Sequence, residues 1–146
     1  MEAVPFHIGI TTDDITTSMR DLAAGLGVSW TEPTQPDGLL HTVDGRELHR
    51  PLSCISKEGP IHIDLIQGEP GTVWETTGPR LHHFAYWTND LRGDITRLTE
   101  DGWRLEMTMP DGDGQPTVFA YMVSDSGFRL ELIDDAGRAA YEERTK

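Results

Sequence analysis

The sequence predicts an α+β fold made of two βαβββ modules, and three observations predict it. Phe6-His7-Ile8-Gly9-Ile10-Thr11-Thr12-Asp13-Asp14-Ile15 recurs without a gap from His82 to Leu91, so that His7 meets His83, Gly9 meets Ala85, Thr12 meets Thr88 and Asp14 meets Asp90. Farther on, Ile63-Asp64-Leu65-Ile66-Gln67 matches Leu130-Glu131-Leu132-Ile133-Asp134. Between these anchors each half passes from two-residue alternation to helical spacing and back. Self-similarity of this kind marks a duplicated supersecondary unit, here with one His and one carboxylate in each copy.

Module one covers about residues 5–68. Phe6 to Thr11 alternates, with Phe6, Ile8 and Ile10 on one face and His7 and Gly9 on the other, as a strand does. Thr12, Asp13 and Asp14 offer N-cap oxygens. Ile15, Met19, Leu22, Ala23 and Leu26 recur at helical spacing, which predicts a helix over residues 14–26 ended by Gly25 and Gly27. From Val28 to Ile55 the pattern is weaker. Trp30, Leu39, Leu40, Val43, Leu48, Leu52 and Ile55 predict two or three short strands between turns at Pro33, Pro36-Asp37-Gly38 and Asp44-Gly45. Ile61 to Ile66 alternates again, with His62, Asp64 and Ile66 on one face.

Residues 69–80, rich in Gly, Pro, Thr and Glu and carrying Trp74, read as a linker or a loop over the site. Module two covers about residues 81–134. Its first strand, Leu81 to Thr88, places His83, Ala85 and Trp87 on one face. Asn89 or Asp90 caps a helix carrying Leu91, Ile95 and Leu98 and ending at Gly102. Trp103 to Met109 alternates as a strand with Trp103, Leu105, Met107 and Met109 on a shared face. A loop at 110–116 leads to a strand from Thr117 to Ser124, rich in β-branched and aromatic residues. The last strand, Phe128 to Ile133, sets Arg129, Glu131 and Ile133 on one face. The tail, residues 135–146, predicts a short surface helix held by Ala139, Ala140 and Tyr141, with Glu142 and Glu143 solvated.

A chain of 146 residues suits a single domain, whereas each half alone would bury a marginal core. Its 12 basic and 25 acidic residues give a net charge of -13. Nucleic acid and anionic membrane surfaces are therefore not expected partners, since binding them needs clustered Lys and Arg. No run approaches the roughly 18 apolar residues of a membrane span. The lone Cys54 allows no intrachain disulfide and fits a reducing compartment. Met1 to Pro5 has neither a basic nor an apolar signal region, so a cytoplasmic location is expected.

The repeat, the order of elements, and the motifs His7-Ile8-Gly9-Ile10, His82-His83-Phe84-Ala85 and Gly127-Phe128-Arg129-Leu130-Glu131-Leu132 resemble the vicinal oxygen chelate superfamily. That group includes glyoxalase I, methylmalonyl-CoA epimerase, extradiol dioxygenases and bleomycin-resistance proteins. The resemblance covers about residues 5–134 and is strongest to the epimerase and glyoxalase branch. It implies that the two modules form a cupped mixed sheet, with metal ligands on the first and last strand of each. It assigns those ligands to His7, Asp64, His83 and Glu131. The family usually carries Glu, Gln or His at the Asp64 position; Asp is one methylene shorter, and His62 on the same face could substitute or help.

Two imidazoles and two carboxylates suit a divalent Co, Mn, Ni, Zn or Fe ion better than Ca or Mg, which prefer all-oxygen shells. Such an ion would act as a Lewis acid on a substrate with two adjacent oxygens and stabilise an enolate. Glu131 is the base the resemblance suggests, with Glu47 and His49 as alternatives. His62, Trp87 and Tyr121 are expected to line the substrate site. His41, His82 and Cys54 are read as structural. The expectation is a metal-dependent isomerase or epimerase acting on a small oxygen-rich molecule or thioester, as a homodimer. The alternatives are an extradiol-type dioxygenase, a glyoxalase-type lyase, and a metal-free binding protein of the resistance type.

Overall fold

The computed structural model describes residues 1–146. In chain order the elements are β1 (His7–Thr12), α1 (Ile15–Leu26), β2 (Leu39–Thr42), β3 (Glu47–His49), β4 (Ser53–Ile55), β5 (His62–Gln67), β6 (Arg80–Thr88), α2 (Leu91–Glu100), β7 (Arg104–Pro110), β8 (Pro116–Val123), β9 (Arg129–Asp134), a 3-10 turn at Asp135–Gly137, and α3 (Arg138–Arg144). No helix is long and apolar enough to cross a membrane.

The repeated sequence folds into a repeated joint. Asp14 caps α1 by accepting from Thr17 N at 3.0 Å, and Asp90 caps α2 by accepting from Gly93 N at 3.0 Å. Thr12 Oγ1 accepts from Asp14 N at 3.2 Å and bonds the Ser18 hydroxyl at 2.7 Å. Thr88 Oγ1 accepts from Asp90 N at 3.1 Å and donates to Asp94 Oδ2 at 2.6 Å. Asp94 thus stands where Ser18 stands in the first copy. Being an acid, it also takes the Met1 ammonium, at 2.7 Å.

The nine strands form one mixed sheet in the order β3-β2-β7-β8-β9-β6-β1-β5-β4. The two first strands, β1 and β6, run antiparallel at its centre, and each pairs in parallel with the last strand of its own module, β5 or β9. Module two keeps the expected strand count. In module one four strands follow the helix, and two of them depart from the expected module: the β2–β3 hairpin pairs with β7, Thr42 opposite Met107.

This departure bends the sheet. Thr34 bridges Ser53 on the outer side of β4, and five residues later Leu39 begins β2 at the other end of the order. Five residues reach at most about 18 Å. In a flat sheet those positions would be about 38 Å apart. The sheet must therefore curl until its ends approach, and the link from His49 to Ser53 crosses the same gap in reverse.

Packing follows the curl. Ile15 of α1 packs with Cys54 and Leu65, and Leu91 and Leu98 of α2 pack with Ala120, Met122 and Leu132. A third cluster joins Leu40, Ile66, Trp74, Met107, Phe119 and Tyr121. Met107 is here, whereas Trp103 and Leu105 pack with the α2 cluster. A register shift between Leu105 and Met107 turns the strand over, so the single apolar face expected for residues 103–109 is divided between two cores. Trp74 is fully buried and donates from Nε1 to Tyr121 Oη at 3.3 Å, which pins the segment before β6.

The Asp94 joint has a measurable signature. Burial alone would raise its carboxyl, but the Met1 ammonium and the Thr88 hydroxyl outweigh burial and hold it below its ordinary value of 3.8. A carboxylate depressed on folding contributes stability that is present above the unfolded value and lost as the pH falls through the lower folded one. Asp94→Asn should cost about 1–2 kcal/mol at pH 7, and the deficit should shrink as the pH is lowered below about 4. Urea midpoints of the two proteins across pH would read this; a deficit independent of pH would refute the charge argument.

Candidate metal centre

Strand register gathers the four residues that the repeat singles out. Across the β1–β6 pair, His7 lies opposite Ala85 and Gly9 opposite His83. On the flanks, Asp64 lies beside Gly9 and Glu131 beside Ala85. Each imidazole therefore crosses a residue with little or no side chain, and the carboxylates fall at equivalent places. The close approach is strict: a Cβ on Gly9 would stand 2.1 Å from His83 Cε1.

All four side chains are buried, and one ligand atom from each lies within 4.8 Å of the others. Glu131 Oε2 is 2.9 Å from His7 Nε2 and 3.0 Å from His83 Nε2. The two Nε2 atoms are 3.1 Å apart. Asp64 Oδ2 is 3.7 Å from His7 Nε2 and 3.9 Å from His83 Nε2. Atoms bound about 2.1 Å from one ion stand about 3.0 Å apart at right angles and about 4.2 Å apart when opposite. The separations fit that range. Asp64 Oδ1 is buried without a hydrogen-bond partner, an acceptor that a cation would satisfy. The donor set thus fits a divalent first-row ion.

His82 fixes the orientation of His83. Its Nε2 donates to the Val73 carbonyl at 2.8 Å, and its Nδ1 lies 2.8 Å from His83 Nδ1. Burial, with the nearby His83 and Arg129, pushes the His82 pKa down to about 2, so the ring is neutral and Nδ1 accepts. His83 must then carry a proton on Nδ1, and its Nε2 faces the cluster, 3.0 Å from Glu131 Oε2. Burial lowers the His83 pKa as well. A neutral imidazole with its far nitrogen held is the form that ligates metals. On the other side, the Tyr141 hydroxyl of α3 stands 3.5 Å from His7 Nδ1, and its ring packs edge-on to Phe6 at 5.0 Å.

Arg50, from the link between β3 and β4, enters the cluster from the mouth of the cup. Its Nη2 donates to Asp64 Oδ2, and its Nη1 is 3.9 Å from Glu131 Oε1. Desolvation opposes its charge, but Asp64 and Glu131 outweigh this and raise its pKa. Glu131 responds in the opposite sense. Burial would raise its carboxyl, yet His83, His7 and Arg50 hold it well below the ordinary 4.5.

A cavity of about 200 Å³ opens beside the cluster. Arg50 and Glu131 reach its wall together with Leu40, Trp74, Phe119 and Tyr121. The other expected site residues lie elsewhere. His62 donates from Nδ1 to the Ser56 carbonyl at 2.7 Å and packs its ring against Tyr141, outside the cluster and the cavity wall. Trp87 stacks on Phe6 at 3.9 Å because the face it shares with His83 continues into a small core under α3. Glu47 is exposed on the edge hairpin, 3.7 Å from His41, and His49 is exposed at the end of the same hairpin. Sequence reasoning missed Arg50, His82 and Tyr141 as site residues. The His82-His83 doublet, and the one large ring in the tail, were the available signals; nothing local marks Arg50.

A family model described as Glyoxalase/Bleomycin resistance protein/Dioxygenase superfamily matches residues 6–121. Several solved structures share the fold. Methylmalonyl-CoA epimerase from Mycobacterium tuberculosis superposes with a TM-score of 0.64 at 18% identity, over 97% of each chain. A variant of Streptomyces coelicolor methylmalonyl-CoA epimerase, in complex with 2-nitronate-propionyl-CoA, gives 0.62 at 16% identity over 90% of this chain and 96% of that one. A variant of 4-hydroxymandelate synthase from Streptomyces coelicolor gives 0.61 at 17% identity over 90% of this chain and 38% of that one. At such identities the likeness is one of fold. No curated protein matches the sequence.

Two substitutions test the geometry. Gly9→Ala should displace the His83 ring and abolish tight Co(II) or Zn(II) uptake while leaving the circular dichroism spectrum intact; unchanged uptake would refute the packing argument. His82→Phe should weaken metal affinity by roughly 10–100-fold through loss of the His83 partner. Competition against a chelating dye measures it, and wild-type affinity would dismiss the relay.

Proposed function

The chain belongs to the Glyoxalase/Bleomycin resistance protein/Dioxygenase superfamily, and on that premise we propose that it is a metal-dependent isomerase or epimerase of a small oxygen-rich substrate or thioester. The observation that carries this reading is the convergence of His7, Asp64, His83 and Glu131 beside an apolar cavity. A divalent ion held by these four residues would supply Lewis acidity to a substrate oxygen and stabilise enolate charge.

The remaining work falls to the chain's own groups. Glu131 is the carboxylate that belongs both to the cluster and to the cavity wall, so it is the group placed to take a proton from the carbon next to a substrate carbonyl. The electrons of the broken C–H bond pass into the enolate, and return of a proton to that carbon completes the isomerisation. His83, His7 and Arg50 keep Glu131 ionised, and its basicity grows as those contacts loosen. Burial raises the Tyr121 pKa, so the phenol keeps its proton. Its oxygen accepts from Trp74 Nε1, leaving its hydrogen for a substrate oxygen. Leu40, Trp74 and Phe119 exclude water from the wall.

Methylmalonyl-CoA is the first thioester to try, because an epimerase bound to that compound and ammonium has the same fold, with a TM-score of 0.62 at 16% identity. A second reading, a metal-free binding protein, draws support from Arg50, whose guanidinium already gives Asp64 a cation. Elemental analysis of protein purified without chelator separates the two. We expect about one equivalent of Co, Mn, Ni, Zn or Fe, together with solvent deuterium exchange into the thioester's α-carbon, both lost in His83→Ala. No metal after reconstitution would replace the isomerase reading with the binding one.

A further inference from the structure

Arg50 is the one basic residue on the cavity wall. Its Nη2 hydrogen-bonds Asp64, its Nη1 stands 3.9 Å from Glu131, and its Nε is buried without a partner. A guanidinium presents five N–H donors in a planar fork. Most donors of this fork therefore have no protein acceptor, in a wall otherwise built of apolar groups, Tyr121 and the acids Asp37 and Glu131. Leaving a buried donor such as Nε unmet is costly, and a bidentate oxyanion is what such a fork matches.

We propose that Arg50 makes this cleft select a small monoanion, a carboxylate on an apolar body, which its guanidinium pairs through two parallel hydrogen bonds. The inference rests on the metal-centre reading and deepens it by naming the substrate class. Charge balance supplies the rest of the argument. Asp37 is exposed to water, so the buried acids are Asp64 and Glu131; their two negative charges are cancelled by a dication held with neutral His7 and His83. Arg50 then remains as a half-buried cation with its Asp64 partner engaged elsewhere, and arginine does not shed its proton. A monoanion closes that balance. A neutral ligand leaves it open, and a dianion overshoots it. The cavity, about 200 Å³, is smaller than the roughly 300–1,000 Å³ of sites for drug-sized ligands. A short acyl or aryl carboxylate fits inside; the carrier of a thioester would stay outside.

Benzoate and benzamide are near-isosteres that differ in this charge. Zinc-loaded wild type, R50K and R50M would be titrated with each and followed by tryptophan fluorescence, since Trp74 lines the wall. Zinc content would be measured on every preparation. In wild type, benzoate should bind about tenfold or more tighter than benzamide. In R50M that preference should largely vanish with one equivalent of zinc still bound. R50K, which keeps the charge without the fork, should retain only part of it. An undiminished preference in zinc-bound R50M would assign the selectivity to the metal, overturning the inference and leaving the metal centre standing. If R50M does not fold, an undiminished preference in R50K overturns it equally. Equal binding of both probes by wild type also overturns it. A wild type that takes up no zinc removes the metal-centre reading and this inference together.

Discussion

Two carboxylates with almost no access to water, Asp64 and Glu131, set the terms for everything around them. An ionised carboxylate in a protein interior costs several kcal/mol unless donors and positive charge meet it. His7 and His83 meet Glu131 through Nε2, and Arg50 meets Asp64. A dication entering the cluster would compete with Arg50 for Asp64. Any metal loading would thereby be coupled to the position of one arginine through one carboxylate.

The scaffold serves that cluster in unusual ways. On β1 the face that carries His7, Gly9 and Thr11 is buried, while Ile8 and Ile10 on the other face keep partial exposure. A strand that buries its polar face gives up some apolar burial and needs partners for each polar group. Gly9 and Ala85 give room for the imidazoles to cross the central strand pair. The Thr12 and Thr88 joints lock the ends of those strands to α1 and α2, so His7 and His83 sit on two copies of one device.

Much of this was legible in the sequence because it is local. The gapless match of residues 6–15 to 82–91 carries the strand, the cap and the helix start together, and period-two alternation puts His7 beside Gly9 and His83 beside Ala85. The equivalence of Asp64 and Glu131 is equally a matter of position in a repeat. What escaped reading depends on contacts between distant segments. Arg50 reaches Asp64 only because the chain crosses the mouth of a curled sheet, and no pattern around Arg50 encodes that crossing. The turnover of β7 between Leu105 and Met107 is invisible to an alternation count, since both residues are apolar. Trp87 obeys the alternation and still misses the cavity, because α3 brings Tyr141 over that end of the face.

The placement of the β2–β3 hairpin bears on how the chain is made. The hairpin emerges early, yet the strand it pairs with, β7, lies in the second half of the sequence. On a ribosome, β1, α1 and β5 could assemble while the hairpin waited with an open edge. His7 and Asp64 would wait likewise, since His83 and Glu131 come from the other copy. Non-local pairing of this kind slows folding and leaves strand edges exposed in the interval. The two halves repeat one pattern, but the cluster and the sheet are complete only when both are present.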